Sequence, residues 1–110
     1  MRLTNTAIIN AFDSCEWLLE KEVPAALAFA LADLMGQLKL KREVFILAVQ
    51  KAKKTETGDV DPEEFAALCA IETDIDLPKI KKSELISSFD AIPPKVIMAL
   101  QPLIDTEEAD

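Results

Sequence analysis

At 110 residues the chain has room for one domain, since typical domains run to roughly 100–150 residues. Half of the residues are apolar, only five Phe and Trp17 are aromatic, and Gly occurs twice. This composition excludes disorder and an all-β sandwich with its many turn glycines, and it leaves a core of Ala, Leu, Ile and Val. The formal charge of −8 is uneven: residues 1–55 carry eight Lys/Arg against six Asp/Glu, and residues 56–110 carry four against fourteen. A broad phosphate-binding face is therefore not expected.

The predicted fold class is all-α: a long helical hairpin, then shorter C-terminal helices joined by an extended segment. Thr4 can cap the first free N–H groups of a helix running to about Glu22. Ile8, Phe12, Cys15 and Leu19 recur at helical spacing and predict its buried face, with Ile9 and Trp17 flanking. Pro24 cannot continue that helix but suits the first position of the next, so a tight hairpin is expected. The second helix should run from about Pro24 to about Lys54. Leu27, Leu31, Leu34, Leu38, Phe45, Ala48 and Ala52 form a near-heptad stripe along it, interrupted by Lys41. A second apolar set, Met35, Leu40, Val44 and Leu47, points elsewhere around the cylinder.

Thr55 to Val60 reads as the turn that ends this helix. Asp61-Pro62-Glu63-Glu64 is a helix start, with Asp61 as cap, Pro62 at the first position and Glu64 placed to reach back. The third helix should be short, turn Phe65, Leu68 and Cys69 inward and end near Glu72. Thr73-Asp74-Ile75-Asp76-Leu77-Pro78 alternates polar and apolar residues like extended chain, and it has no evident partner strand. Ser83 to Phe89 predicts one or two helical turns. Pro93-Pro94 opens a last helix through about Ile104, with Ile97, Leu100 and Ile104 inward, and residues 105–110 form an acidic tail outside the 1–104 domain.

Catalytic equipment is sparse. His and Tyr are absent, and the two isolated glycines cannot build a phosphate-cradling GxxxxGK[ST] or GxGxxG loop. The cluster Glu56, Asp59, Asp61, Glu63, Glu64 begins like a calcium loop, but counting from Asp59 puts Glu64 where Gly is required and Ala70 where Glu is required. Helix capping explains Asp61 and Glu64, while Asp74 and Asp76 fit a solvated alternating segment. Cys15 and Cys69 lack CxxC spacing and read as small core residues, in keeping with a reducing cytoplasm. No catalytic residue, cofactor or metal is expected, and the chain is read as a non-enzyme. No signal peptide is evident, and the Val23–Leu38 stretch is too short and too interrupted for a membrane span.

What remains is binding. Only about half of the second helix can be covered by the first, so its remaining apolar surface must meet either the C-terminal segment or another copy of the protein. The candidate interface residues are Trp17, Leu38, Lys41, Phe45 and Leu47. Trp17 and Phe45 are candidate aromatic anchors, with ordinary core packing the favoured account of both, and Lys41 either snorkels to water or sets register inside an oligomer. The expected partner is protein, foremost a second copy; membrane and direct nucleic-acid partners are not expected. Two rival readings stand beside this one: an acidic inhibitor that imitates DNA toward a host defence or nucleic-acid-binding protein, and a nucleotide-sequestering oligomer using Lys39, Lys41, Arg42, Lys51, Lys53 and Lys54.

The opening Met-Arg-Leu-Thr-Asn-Thr-Ala-Ile-Ile-Asn-Ala-Phe (1–12), the Val-Pro-Ala-Ala-Leu-Ala-Phe-Ala-Leu-Ala stretch (23–32), and the segment Glu64-Phe65 through Ile75-Asp76-Leu77-Pro78-Lys79-Ile80 carry a resemblance, together with Ile92-Pro93-Pro94 and Met98-Ala99-Leu100. Over most of its length the chain resembles a group of small uncharacterised proteins of tailed bacteriophages and prophages. The resemblance implies a phage origin, with action in the cytoplasm of a bacterial host or in the virion, and it assigns no residue a role. In that group the stretch after the second helix is commonly longer and charged, whereas Thr55–Asp61 is brief here.

Overall fold

Two helices of unequal length form the body of the molecule in the computed structural model, which describes residues 2–53, 58–89 and 91–105: α1, Asn5–Leu19, and α2, Ala25–Ala52. Thr4 adopts extended backbone, and its hydroxyl accepts a hydrogen bond from the Ala7 N–H at 3.1 Å, the expected N-cap. The helix closes at Leu19, earlier than Glu22, where the Glu20 and Lys21 N–H groups bond back to the Glu16 and Leu18 carbonyls. Pro24 caps α2 from outside rather than sitting within it, because its ψ of 147° is extended while its carbonyl accepts the Ala28 N–H at 2.9 Å.

At about 1.5 Å per residue, α2 is about 42 Å long and α1 about 22 Å, and the molecule measures 55 × 26 × 22 Å. The predicted stripe on α2 is the spine of the core: Leu27, Leu31, Leu34 and Leu38 are at most 1% exposed. Against it α1 buries Ile8, Ala11, Phe12, Ser14, Cys15 and Leu18, while Leu19 is half-buried. This arc is wider than a single-partner stripe because both α2 and the last helix pack on α1.

The chain after residue 58 departs further from expectation. Gly58 takes the left-handed φ of 71°, at the end of the expected turn, whose residues Thr55–Thr57 lie outside the described ones. Helix α3, Pro62–Ala70, starts on the Asp61 cap, whose carboxylate accepts the Glu63 N–H at 3.0 Å. It buries no side chain fully: Phe65 is 44% exposed, and Leu68 and Cys69 are half-buried. Instead its C-terminal carbonyls anchor it. Asn5 Nδ2 donates to the Leu68 carbonyl at 2.7 Å, the Asn5 N–H to Ile71 at 3.0 Å and the Thr6 hydroxyl to Cys69 at 3.4 Å. The start of α1 therefore satisfies carbonyls that the end of α3 leaves free. Asn5→Ala is expected to cost about 1 kcal/mol and to accelerate amide exchange in 62–70 more than in α1, which hydrogen exchange by mass spectrometry would read.

Two small sheets replace the expected linker and the end of the expected last helix. Strand β1, Arg2–Thr4, pairs antiparallel with β2, Glu72–Asp74, with Leu3 opposite Thr73 and Arg2 Nε 3.6 Å from a Glu72 carboxylate oxygen. Strand β3, Ile80–Lys81, runs directly into α4, Lys82–Ser88, and pairs in parallel with β4, Ile104–Asp105. Between them α5, Pro94–Leu100, continues as a 3₁₀ turn, Gln101–Leu103. The last helix thus stops short of Ile104, and Val96, Leu100 and Leu103 rather than Ile97 face the core. Asp105 belongs to a strand, and the rest of the expected tail, residues 106–110, lies outside the described residues. Ile75, Leu77, Ile80 and Leu85 complete one core with α1 and the first half of α2. Among the described residues the fold is mostly helical, with the predicted long hairpin and with four short strands that sequence reasoning did not assign.

Candidate interaction surface

The five residues expected at an interface fall in different places. Leu38 is fully buried and Phe45 is 8% exposed, its ring centroid 6.2 Å from that of Phe65, so both are used within the chain. Trp17 is half-buried against the core, 6.4 Å from the Phe89 ring and beneath the Lys21 ammonium, which lies 4.8 Å from its centroid. Lys41 is half-buried between Leu38 and Phe45, as a lysine does whose stem lies along apolar surface while its head reaches water. Leu47 alone of the five is well exposed, at 57%.

Leu47 does not stand alone. Phe29 is 78% exposed, Leu40 66% and Val44 65%, all on the same helix. At 3.6 residues per turn the intervals of 11 from Phe29 to Leu40 and 7 to Leu47 are close to three and two whole turns, so these side chains form one line, with Val44 beside it. The line lies diametrically opposite the buried Leu27–Leu31–Leu34–Leu38 stripe. Helix α2 is therefore apolar on two faces, one of which its own chain leaves uncovered. α1 and the C-terminal segments pack on the first half of the buried face, and α3 continues the cover at Phe45.

Gly36 sits within this line. Mid-helix glycine costs about 1 kcal/mol relative to alanine, and a Cβ built at Gly36 would touch nothing within 4 Å, so packing inside the chain does not require it. Beside it lies a shallow apolar hollow of about 310 Å³, walled by Phe12, Leu19, Ala32, Met35 and Lys39. A second, open groove of about 600 Å³ runs between α1 and α5 past Asn10, Asp13, Trp17, Lys95 and Met98.

Within one copy the described basic residues of α2 do not converge on one point, and Lys54 lies outside the described residues. Successive positions rotate by about 100°, so Lys39, Lys41, Arg42 and Lys51 are spread around the cylinder, and the Arg42 guanidinium lies 4.9 Å from the Phe12 ring centroid in a cation–π contact. Among the described residues no group of three or more His, Cys, Asp or Glu is placed to hold a metal ion. No described helix is long and apolar enough to cross a membrane.

Both thiols are free. Cys15 is fully buried, and desolvation pushes its pKa from 9.0 up to about 12. Cys69 is half-buried. In native protein at pH 8, one thiol is expected to react with a disulfide reagent and the second only on unfolding, with Cys69→Ser removing the fast phase. Between pH 9 and about 12 the unfolded thiol ionises while the folded one does not. Folding stability should therefore be intact below pH 9 and fall above it, by up to about 1.4 kcal/mol per pH unit for this group, and Cys15→Ala should flatten that slope in denaturant titrations.

Compared with family models, curated proteins and solved structures, the chain matches none of them.

Proposed function

We propose that this protein is a non-enzymatic helical assembly element that acts by self-association and protein docking through the outward face of α2. One observation carries the reading: Phe29, Leu40, Val44 and Leu47 form a solvent-facing apolar line opposite a face already filled by the chain's own core. Large exposed apolar patches on soluble domains mark contact sites, and α2 provides a rigid rod on which to present one. In this reading, which draws on the resemblance to small phage proteins, the protein acts in the cytoplasm of an infected bacterium or in the assembling virion, where the rod would join copies to each other or to a larger protein array.

Size-exclusion chromatography with light scattering tests the self-association half, from about 5 to about 500 µM. The weight-average mass should rise from the 12.1 kDa of the chain toward a multiple of it; a constant monomer mass across that range would refute it. The rival acidic-inhibitor reading draws on the exposed Glu63, Glu64 and Glu72 of α3 and β2. It requires capture of a basic host protein that is lost as salt rises, because exposed charge pairs are screened, whereas docking through an apolar line persists in salt.

A further inference from the structure

We propose that two copies pair isologously along α2, with the helices antiparallel and Leu40 of each copy seated over Gly36 of the other. This inference rests on the self-association reading and specifies its geometry. Three features of the outward face carry it: a knob, a hole and opposed charge at the two ends.

The knob is Leu40, 66% exposed, and the hole is the gap in the outward line at Gly36, where no side chain stands and an added Cβ would meet nothing within 4 Å. In a two-fold arrangement centred near the level of Leu38, position 36 of one helix faces position 40 of the other. The same centre sets Phe29 against Leu47, so on each side of it two large apolar residues meet. A parallel pair in register would instead set Leu40 on Leu40 and leave Gly36 facing Gly36. An isologous contact must be self-complementary in this way, and a helix with a glycine in its contact line admits a closer neighbour than any other residue allows.

Charge selects the same direction. At the N-terminal end of α2 the hairpin turn exposes Glu20 and Glu22, with the Lys21 ammonium held over Trp17, and at the C-terminal end α2 exposes Lys51 and Lys53. Antiparallel pairing lays the lysines of each copy beside the glutamates of the other, and it opposes the two helix dipoles. Parallel pairing sets like charge on like. In the antiparallel register Asp33 approaches Glu43 of the second copy, and Lys39 of that copy lies within about a turn of both.

The size of the contact sets its strength. A strip from Phe29 to Leu47 is about 27 Å long and about 12 Å wide, roughly 300 Å² per copy, below the roughly 800 Å² of a standard stable interface. A contact of this size is weak, so the test is run at about 200 µM.

The test is disulfide cross-linking of Phe29→Cys and Leu47→Cys, each in a Cys69→Ser background, oxidised separately and as an equimolar mixture, alongside light scattering of the unmodified chain. The geometry predicts a 29–47 cross-link in the mixture at least about fivefold above the 29–29 and 47–47 products of the separate samples. Gly36→Leu adds a side chain into open space, so its far-ultraviolet circular dichroism and melting should match or exceed those of the parent, while its dimer dissociation constant rises at least about tenfold. Predominant 29–29 and 47–47 cross-links would establish parallel pairing and overturn the proposed geometry, leaving self-association standing. A dimer that yields none of these cross-links, or that Gly36→Leu leaves intact, would also overturn it by moving the interface elsewhere. A strict monomer at 200 µM would overturn both the geometry and the self-association reading beneath it.

Discussion

Leu34→Ala is expected to lower the unfolding free energy by about 3 kcal/mol and the melting temperature by roughly 10–15 °C. Leu34 is fully buried in the middle of the α2 spine, between Leu31 and Leu38, which are equally inaccessible, and opposite the packed face of α1. Truncation removes the transfer free energy of the lost methyl groups and leaves a cavity that two rigid helices cannot close, so the cost should lie well above that of a surface change. For a domain whose total stability is of order 5–15 kcal/mol, that is a large share. Thermal and urea melts followed by circular dichroism measure it; a loss below about 1 kcal/mol would mean that α1 and α2 are not packed as described.

Two turns along the same helix, leucine should behave in the opposite way. The double change Leu40→Glu with Leu47→Glu is expected to shift folding stability by no more than about 0.5 kcal/mol per site, the range of exposed positions. The same change should weaken self-association roughly a hundredfold or more. Each charge would appear twice in an isologous contact, and burying an unpaired carboxylate costs several kcal/mol, where about 1.4 kcal/mol is a factor of ten. Analytical ultracentrifugation of parent and variant at matched concentrations reads the association, and melting reads the fold. If the double variant unfolds, the outward line is part of the core; if it associates as the parent does, the line is not the contact. Leu34 and Leu40 differ in the side of the rod they occupy, and that difference separates a structural leucine from an interaction leucine.

Much of this division could be read from residue order. The buried stripe Leu27, Leu31, Leu34, Leu38 follows from local periodicity, as do the Thr4 and Asp61 caps and the break at Pro24, because each depends on groups within a few residues of one another. The second line is partly legible: periodicity sets Leu40, Val44 and Leu47 apart, but it groups them with Met35, which packs against the core, and it omits Phe29. Its interval of 11 residues from Leu40 is a whole number of turns that a search for spacings of three and four passes over. Leu38 and Phe45 were assigned to a contact, yet Leu38 is sealed in the core and Phe65 covers Phe45. No property of either residue type distinguishes a helix face that its own chain will cover from one that it will not.

The sequence by itself determined a helical chain, the hairpin, its caps, the spine of α2 and the poverty of catalytic groups, since all of these come from composition and from interactions over one or two turns. Only the tertiary structure decided that Arg2–Thr4 pairs with Glu72–Asp74, that Ile80–Lys81 pairs with Ile104–Asp105, and that α3 hangs from the first turn of α1 by backbone carbonyls rather than by buried side chains. Strand pairs of two or three residues separated by tens of residues carry almost no local signal, because a short stretch becomes a strand only when a distant partner offers its hydrogen bonds. The same holds for the outward face of α2: its apolar residues are written in the chain, but their exposure depends on where every other segment comes to rest.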